Sequence, residues 1–107
     1  MEIKESRHTD TVVLAIKGSL DVVTSPDLEQ KVAALLDAGT RDLVFDLSHL
    51  DYVSSAGLRV FMLALKRLAK DGKLRFCGLS KNVRQVFDIA GMSLRATICD
   101  TLADALK

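Results

Sequence analysis

The stretch Asp42-Leu43-Val44-Phe45-Asp46-Leu47 decides the fold of this chain. Its apolar centre is continuous, which is typical of a central strand covered on both faces of a sheet. We expect a short loop at Ser48–Val53 and then a helix that begins with Ser54-Ser55-Ala56-Gly57 and ends at Asp71-Gly72. A strand, a loop and an amphipathic helix in this order indicate a strand–helix–strand unit.

Similar units flank this centre. The predicted strands are Glu2–Arg7, Thr11–Lys17, Asp42–Leu47, Lys73–Cys77 and Arg95–Cys99. One further predicted helix begins at Ser25, which can act as its cap, and ends at Gly39. Two more cover Asn82–Ala90 and Thr101–Leu106. This order predicts an α/β fold: a small mixed β-sheet of about five strands, with an N-terminal antiparallel hairpin, parallel strand–helix–strand units and about four packed helices. Residues 1–107 should form a single domain.

The composition argues against several classes of function. With 15 basic and 14 acidic residues, the formal net charge is +1, so no overall attraction to nucleic acid or an anionic membrane is expected. Lys66, Arg67, Lys70 and Lys73 recur at helical spacing and are interpreted as a solvated face. No leader or membrane-spanning run is found, so we expect a cytoplasmic protein without membrane insertion.

The sequence offers no catalytic, cofactor or metal site. Cys77 and Cys99 lie in apolar stretches and are interpreted as small hydrophobes, and no residues stand at metal-ligand spacing. Ser55, His49 and Asp46 could form a hydrolase triad, but a nucleophile elbow needs glycine two residues before the serine. We therefore expect neither enzymatic activity nor a cofactor.

The pair Ser54-Ser55 is the most promising chemical feature. Two hydroxyls precede two small residues, Ala56 and Gly57, at a strand-to-helix junction, so another protein's active site could close over them. The amides at a helix N-terminus would also tolerate a phosphate there. The alternative is that these serines only cap the helix, because capping is the commonest use of serine at such a position.

Three segments of the chain are similar to one known family. The run from Val44 to Leu58 resembles the central motif of the STAS family, specifically of the bacterial anti-sigma factor antagonists. Gly18-Ser19-Leu20-Asp21 is similar to the family's G-x-L-D, and the run from Val83 to Met92 to its third-helix signature, V-x-x-(L/V)-F-x-x-(A/S)-G-(L/M). The resemblance covers nearly the whole chain.

The resemblance implies a partner-switching cycle. An unphosphorylated antagonist binds an anti-sigma factor that is also a serine kinase of the ATP-lid type, and so releases a sigma factor. The kinase phosphorylates the antagonist and breaks the complex, and a metal-dependent serine phosphatase reverses the modification. The phosphoacceptor aligns with Ser55. Many antagonists have Asp where this chain has Ser54, so Ser54 remains the alternative acceptor.

A partner surface around Ser55 is also expected. Its predicted residues are Asp21, Thr24, Ser25, Asp46, Ser54, Ala56 and Gly57. Turn chemistry and helix capping also explain Thr24 and Ser25, and Asp46 could be an exposed strand end.

Two other functions fit a STAS fold. One is a non-phosphorylated subunit of a transporter or stressosome-like assembly. The other is a small-ligand sensor, for which the sequence shows no pocket-forming polar cluster.

Overall fold

The computed structural model describes residues 1–107. The strands are β1 (Glu2–His8), β2 (Thr11–Leu20), β3 (Asp42–Val53), β4 (Lys73–Cys77) and β5 (Thr97–Cys99). The helices are α1 (Ser25–Asp37), α2 (Ser55–Leu68), α3 (Lys81–Ile89) and α4 (Leu102–Ala105), with a 3₁₀ turn at Met92–Leu94. None of these helices has both the length and the apolar character needed to cross a membrane.

The five strands form one sheet in the order β1-β2-β3-β4-β5. β1 and β2 are antiparallel, and every other neighbouring pair is parallel. The predicted mixed five-stranded sheet with four helices is therefore confirmed. Parallel strands place all their carboxyl ends at one edge of the sheet, and the loops at that edge are where α/β proteins commonly carry their functional groups.

The core is divided between the two faces of the sheet. Alternate strand residues face opposite ways, so one set packs against α1, α2 and α3 and the other against α4. Four fully buried aromatic rings stand in the larger core, with neighbouring centroids between 4.9 and 5.9 Å apart: Phe45, Phe61, Phe76 and Phe87. The smaller core contains Val13, Val44, Cys77 and Ala105.

The predicted loop at Ser48–Val53 is wrong, because β3 continues without a break to Val53 and β2 continues to Leu20. β3 carries one extra residue relative to β2 at two places, so the pairing register shifts twice. As a result, Leu47, Leu50 and Val53 are buried at every third position. Bulges of this kind remove the two-residue alternation by which a strand is recognised in a sequence.

The last strand is shorter than predicted. β5 begins at Thr97, because the 3₁₀ turn and the residues after it occupy the start of the predicted segment at Arg95. Gly91 precedes that turn in a left-handed conformation (φ 75°), which a glycine adopts without steric cost.

Two contacts fix the start of α2 against the sheet. The Ser54 N–H donates a hydrogen bond to the Leu20 carbonyl at 2.8 Å, which joins the ends of β2 and β3. Gly57, the third residue of α2, is buried against the side chains of Leu20 and Val53. A Cβ atom at Gly57 would lie 2.7 Å from Leu20 Cγ and 2.9 Å from Val53 Cγ2, so only glycine allows the helix to begin so close to the strands.

We expect Gly57→Ala to destabilise the protein by about 1–2 kcal/mol, because overpacking exceeds the gain that alanine brings inside a helix. Neither neighbour can move away easily, since Leu20 and Val53 are themselves buried. Urea unfolding would measure the change. Ser55→Ala, at an exposed site two residues earlier, is the control and should shift stability by less than about 0.5 kcal/mol. A Gly57→Ala variant as stable as the wild type would contradict the packing described here.

Candidate functional site

The carboxyl ends of β2 and β3 and the start of α2 form one edge of the sheet, which we call the Ser55 edge. Leu20 pairs with Val53 in the parallel ladder, and Ser19 pairs with Tyr52. The residues that follow β2 and those that follow β3 therefore emerge side by side. This pairing brings the Asp21 loop close to Ser54 and Ser55, as the sequence predicted.

Ser54 caps α2. Its backbone is extended (φ −91°, ψ 174°), and its side-chain oxygen accepts a hydrogen bond from the Gly57 N–H at 3.3 Å. Its carbonyl accepts from the Leu58 N–H at 2.9 Å. Such a cap satisfies amides that the helix leaves without partners and is worth about 1 kcal/mol. The capping interpretation of the serine pair is thus correct for Ser54.

Ser55 differs from its neighbour in both exposure and bonding. It is the first residue of α2, its side chain is exposed, and its hydroxyl has no hydrogen-bond partner within the chain. Ala56, beside it, is half-buried and small. The positive end of the α2 dipole lies at this position, which favours a negative group on the Ser55 oxygen. No side chain lies within hydrogen-bond distance to act as a base, so the hydroxyl is accessible but not activated.

A compact turn after β2 is organised by Asp21 and Thr24. The Asp21 carboxylate accepts from the N–H groups of Val23 and Thr24, both at 3.0 Å. Thr24 Oγ1 in turn accepts from the Asp21 N–H at 2.9 Å and donates to the Ser19 carbonyl at 2.9 Å. Chiefly because of the bond from the Thr24 backbone N–H, the pKa of Asp21 lies below its usual value. The carboxylate is therefore charged at neutral pH and holds the turn closed.

Two predicted partner residues are inside the protein. Ser25 is 5% exposed, and its hydroxyl and N–H both donate to the Asp21 carbonyl. It is the first residue of α1 and not its cap; Thr24 holds the cap position and makes no side-chain capping bond. Gly57 is also buried. Neither residue is available for direct contact with a partner in this conformation, and both instead support the backbone of the Ser55 edge.

Asp46 does not lie near Ser55, contrary to the sequence prediction. Because β3 runs seven residues beyond it, the two residues are separated by roughly 20 Å of strand. Asp46 is level with Cys77 of β4, and its Oδ1 accepts from the Ser48 N–H at 3.1 Å, at one of the two bulges. Burial, reinforced by the Asp46 carboxylate, raises the pKa of the Cys77 thiol to about 12. That thiol stays protonated and unreactive, as expected for a cysteine used as a hydrophobe.

The structure adds three apolar side chains that the sequence reading missed. Val22 is 72% exposed, Val23 83% and Tyr52 53%, and all three lie at the Ser55 edge. Exposed apolar groups gathered in one place commonly mark a protein interface. A signal was present in the sequence, because two adjacent valines inside a tight turn, between Asp21 and Thr24, have no core to face.

The candidate site therefore consists of an exposed hydroxyl, a rigid acidic turn and an apolar border. No group of three or more His, Cys, Asp or Glu side chains comes together in a way that could hold a metal ion. The two cysteines are free thiols. The arrangement suits contact with another macromolecule.

Comparison with known proteins agrees with this description. The model of the STAS domain family matches residues 2–105. BtrV of Bordetella bronchiseptica, whose name describes it as an anti-sigma factor antagonist, is 38% identical over 92 residues, which is 85% of this chain and 79% of BtrV. An anti-sigma-B factor antagonist of Staphylococcus epidermidis is 33% identical over 93 residues, 86% of each protein.

A solved structure gives the same result for the fold. The crystal structure of an anti-sigma factor antagonist from Mycobacterium paratuberculosis superposes with a TM-score of 0.92 at 27% identity, covering 98% of this chain and 90% of that one. Sequence motifs, sheet topology and relatives all agree, and the chain belongs to the STAS domain family, among its anti-sigma factor antagonists.

Proposed function

We propose that this protein binds an anti-sigma factor that is also a serine kinase, and that phosphorylation of Ser55 by that kinase breaks the complex. In the unphosphorylated state the antagonist occupies the anti-sigma factor, so a sigma factor is released. A serine phosphatase restores the binding-competent form. The proposal combines the family assignment with the geometry of the Ser55 edge.

The difference between the two adjacent serines is the observation that carries the proposal. The Ser54 oxygen is already an acceptor for the Gly57 N–H, and Ser54 is only partly exposed. Phosphorylation of Ser54 would disturb the cap and the first turn of α2. The Ser55 hydroxyl is exposed and unbonded, so a kinase can reach it and modify it without breaking any hydrogen bond of the fold.

The border of the site explains why a phosphate would prevent binding. Val22, Val23 and Tyr52 offer apolar surface that a partner would cover. A phosphate adds about −1.5 to −2 charges and three strongly hydrated oxygens. Burying such a group between apolar surfaces without a matching cation has a large desolvation cost, and a loss of ~3 kcal/mol already weakens binding more than a hundredfold.

The first test is the site of modification. Incubation with the cognate anti-sigma kinase and ATP should add ~80 Da, one phosphate, to the wild-type protein, measured by intact-mass spectrometry. Ser54→Ala should still be modified, whereas Ser55→Ala should not. Peptide mapping should place the phosphate on Ser55.

Two results would contradict the assignment. Phosphate on Ser54 would show that the cap opens for the kinase. A wild-type protein that binds the kinase but is never modified would instead favour a non-phosphorylated STAS subunit of a larger assembly.

The second test is the effect of charge on binding. We expect Ser55→Asp to bind the anti-sigma kinase at least tenfold more weakly than the wild type, measured by isothermal titration calorimetry, because the carboxylate places charge where the apolar border is covered. Ser55→Asn, of nearly the same size but neutral, is the matched control and should bind more tightly than Ser55→Asp. Equal affinities for the Asp and Asn variants would show that bulk, and not charge, separates the partners.

The third test concerns the apolar border itself. Val23→Ser should weaken binding of the anti-sigma kinase by about tenfold, since fully burying a valine side chain is worth about 1.5–3 kcal/mol and 1.4 kcal/mol corresponds to a factor of ten. Leu94→Ser is the control, because Leu94 is even more exposed, at 92%, but lies on the 3₁₀ turn away from the Ser55 edge. Equal weakening by both substitutions would show that the interface does not centre on Ser55.

A further inference from the structure

We propose that the protein has a second binding site, for a small organic anion with a short apolar body, in a cavity between the last turns of α2 and the starts of β4 and β5. We call it the cationic cavity. Its volume is about 420 Å³, within the range of ~300–1,000 Å³ typical of small-molecule sites. The residues lining it are Leu65, Leu68, Ala69, Gly72, Lys73, Leu74, Arg75, Arg95 and Thr97.

The charge of the lining has one sign. Lys73, Arg75 and Arg95 are cationic, and no carboxylate lines the cavity. The protein has six ion pairs, and neither Lys73 nor Arg95 takes part in any of them. Both side chains are therefore available to an anion, while a metal cation would be repelled.

The third cation, Arg75, is partly satisfied. One of its terminal nitrogens pairs with Asp42, whose other carboxylate oxygen accepts from Thr11 Oγ1 at 2.9 Å. Asp42 is thereby fully engaged and neutralises only one of the three cations. The Nε atom of Arg75 is the one buried side-chain polar atom in the protein without a hydrogen-bond partner. Because Asp42 neutralises Arg75, the positive potential of the cavity comes from Lys73 and Arg95.

The carboxyl end of α2, which carries a partial negative charge, also borders the cavity. Its carbonyls are partly occupied, because the Gly72 N–H bonds to the Leu68 carbonyl at 3.1 Å and the Ala69 N–H to the Lys66 carbonyl. Two full and unpaired positive charges outweigh this partial negative charge. The net field in the cavity therefore favours an anion.

Leucine side chains in the lining indicate that the ligand also has an apolar part. Leu68 and Leu74 are buried, Leu65 is half-buried, and the three lie beside the cations. A ligand that is only charged would leave this surface in water, and a ligand that is only apolar would leave the cations without a partner. A carboxylate or phosphate ester on a short hydrocarbon body would satisfy both.

This site is separate from the Ser55 edge. Leu65 lies ten residues after Ser55 on the same helix, which corresponds to about 15 Å along its axis. Both serines can therefore be intact or modified without contact with the cavity. The inference does not depend on the function proposed for Ser55, and its test needs no kinase.

Octanoate is a suitable probe, with octanamide as the neutral analogue and inorganic phosphate as the purely charged one. In titrations of ¹⁵N-labelled protein followed by NMR, octanoate should produce saturable shifts at Lys73–Arg75 and Arg95–Thr97. Octanamide and phosphate should each bind at least tenfold more weakly. Arg95→Gln and Lys73→Gln should each weaken octanoate binding about fivefold to tenfold, the expected loss of one charge-assisted contact.

Lys81→Gln is the matched control, because Lys81 is an exposed and unpaired cation on α3 that does not line the cavity. It should leave octanoate affinity unchanged. The proposal is overturned if octanoate gives no saturable shifts, if octanamide or phosphate binds as tightly, or if Lys81→Gln weakens binding as much as Arg95→Gln. Because Lys73 and Arg95 are exposed and unbonded, their variants should fold normally, which circular dichroism can verify.

Discussion

The position of Ser55 depends on the close approach of α2 to the ends of β2 and β3. The hydrogen bond from the Ser54 N–H to the Leu20 carbonyl fixes the chain direction, and the missing side chain of Gly57 allows the helix to start against Leu20 and Val53. A bulkier residue at this point would push the helix outward. Ser54 is held as the cap of α2, and Gly57 faces inward. Ser55, between these two residues, is left exposed at the start of the helix.

The fold was largely predictable, because its signals are local. Capping residues, glycines and apolar runs located every helix and strand, and short connections implied parallel pairing. What could not be predicted is the length of β3. Because of its two bulges, the buried residues Leu47, Leu50 and Val53 are three positions apart and not two. The bulges depend on pairing with β2, and a local sequence pattern carries no information about that pairing. The same error moved Asp46 from mid-strand to the strand end.

The proximity of Asp21, Ser54 and Ser55 could be predicted from the sequence, but the division of roles between the two serines and the position of Asp46 could not. Two adjacent serines have the same chemistry, and only the backbone angles decide that the Ser54 oxygen faces the Gly57 N–H while Ser55 faces outward. Burial of Ser25 likewise depends on a turn closed by the Asp21 carboxylate, a tertiary detail. The cationic cavity could not be predicted either, since Lys73 and Arg95 are far apart in sequence and come together only because β5 lies beside β4.

A switch built on this edge does not need to change its shape. Moving the start of α2 would break the bond between Ser54 and Leu20 and expose side chains that are now fully buried, which is costly in a small domain. Adding negative charge to Ser55, in contrast, should not destabilise the fold, because the N-terminal end of α2 favours an anion. The modified protein would therefore remain folded, and the proposed switch would need no second conformation of this chain. The same helix start that makes this edge rigid thus also lets it accept a negative charge without a change of fold.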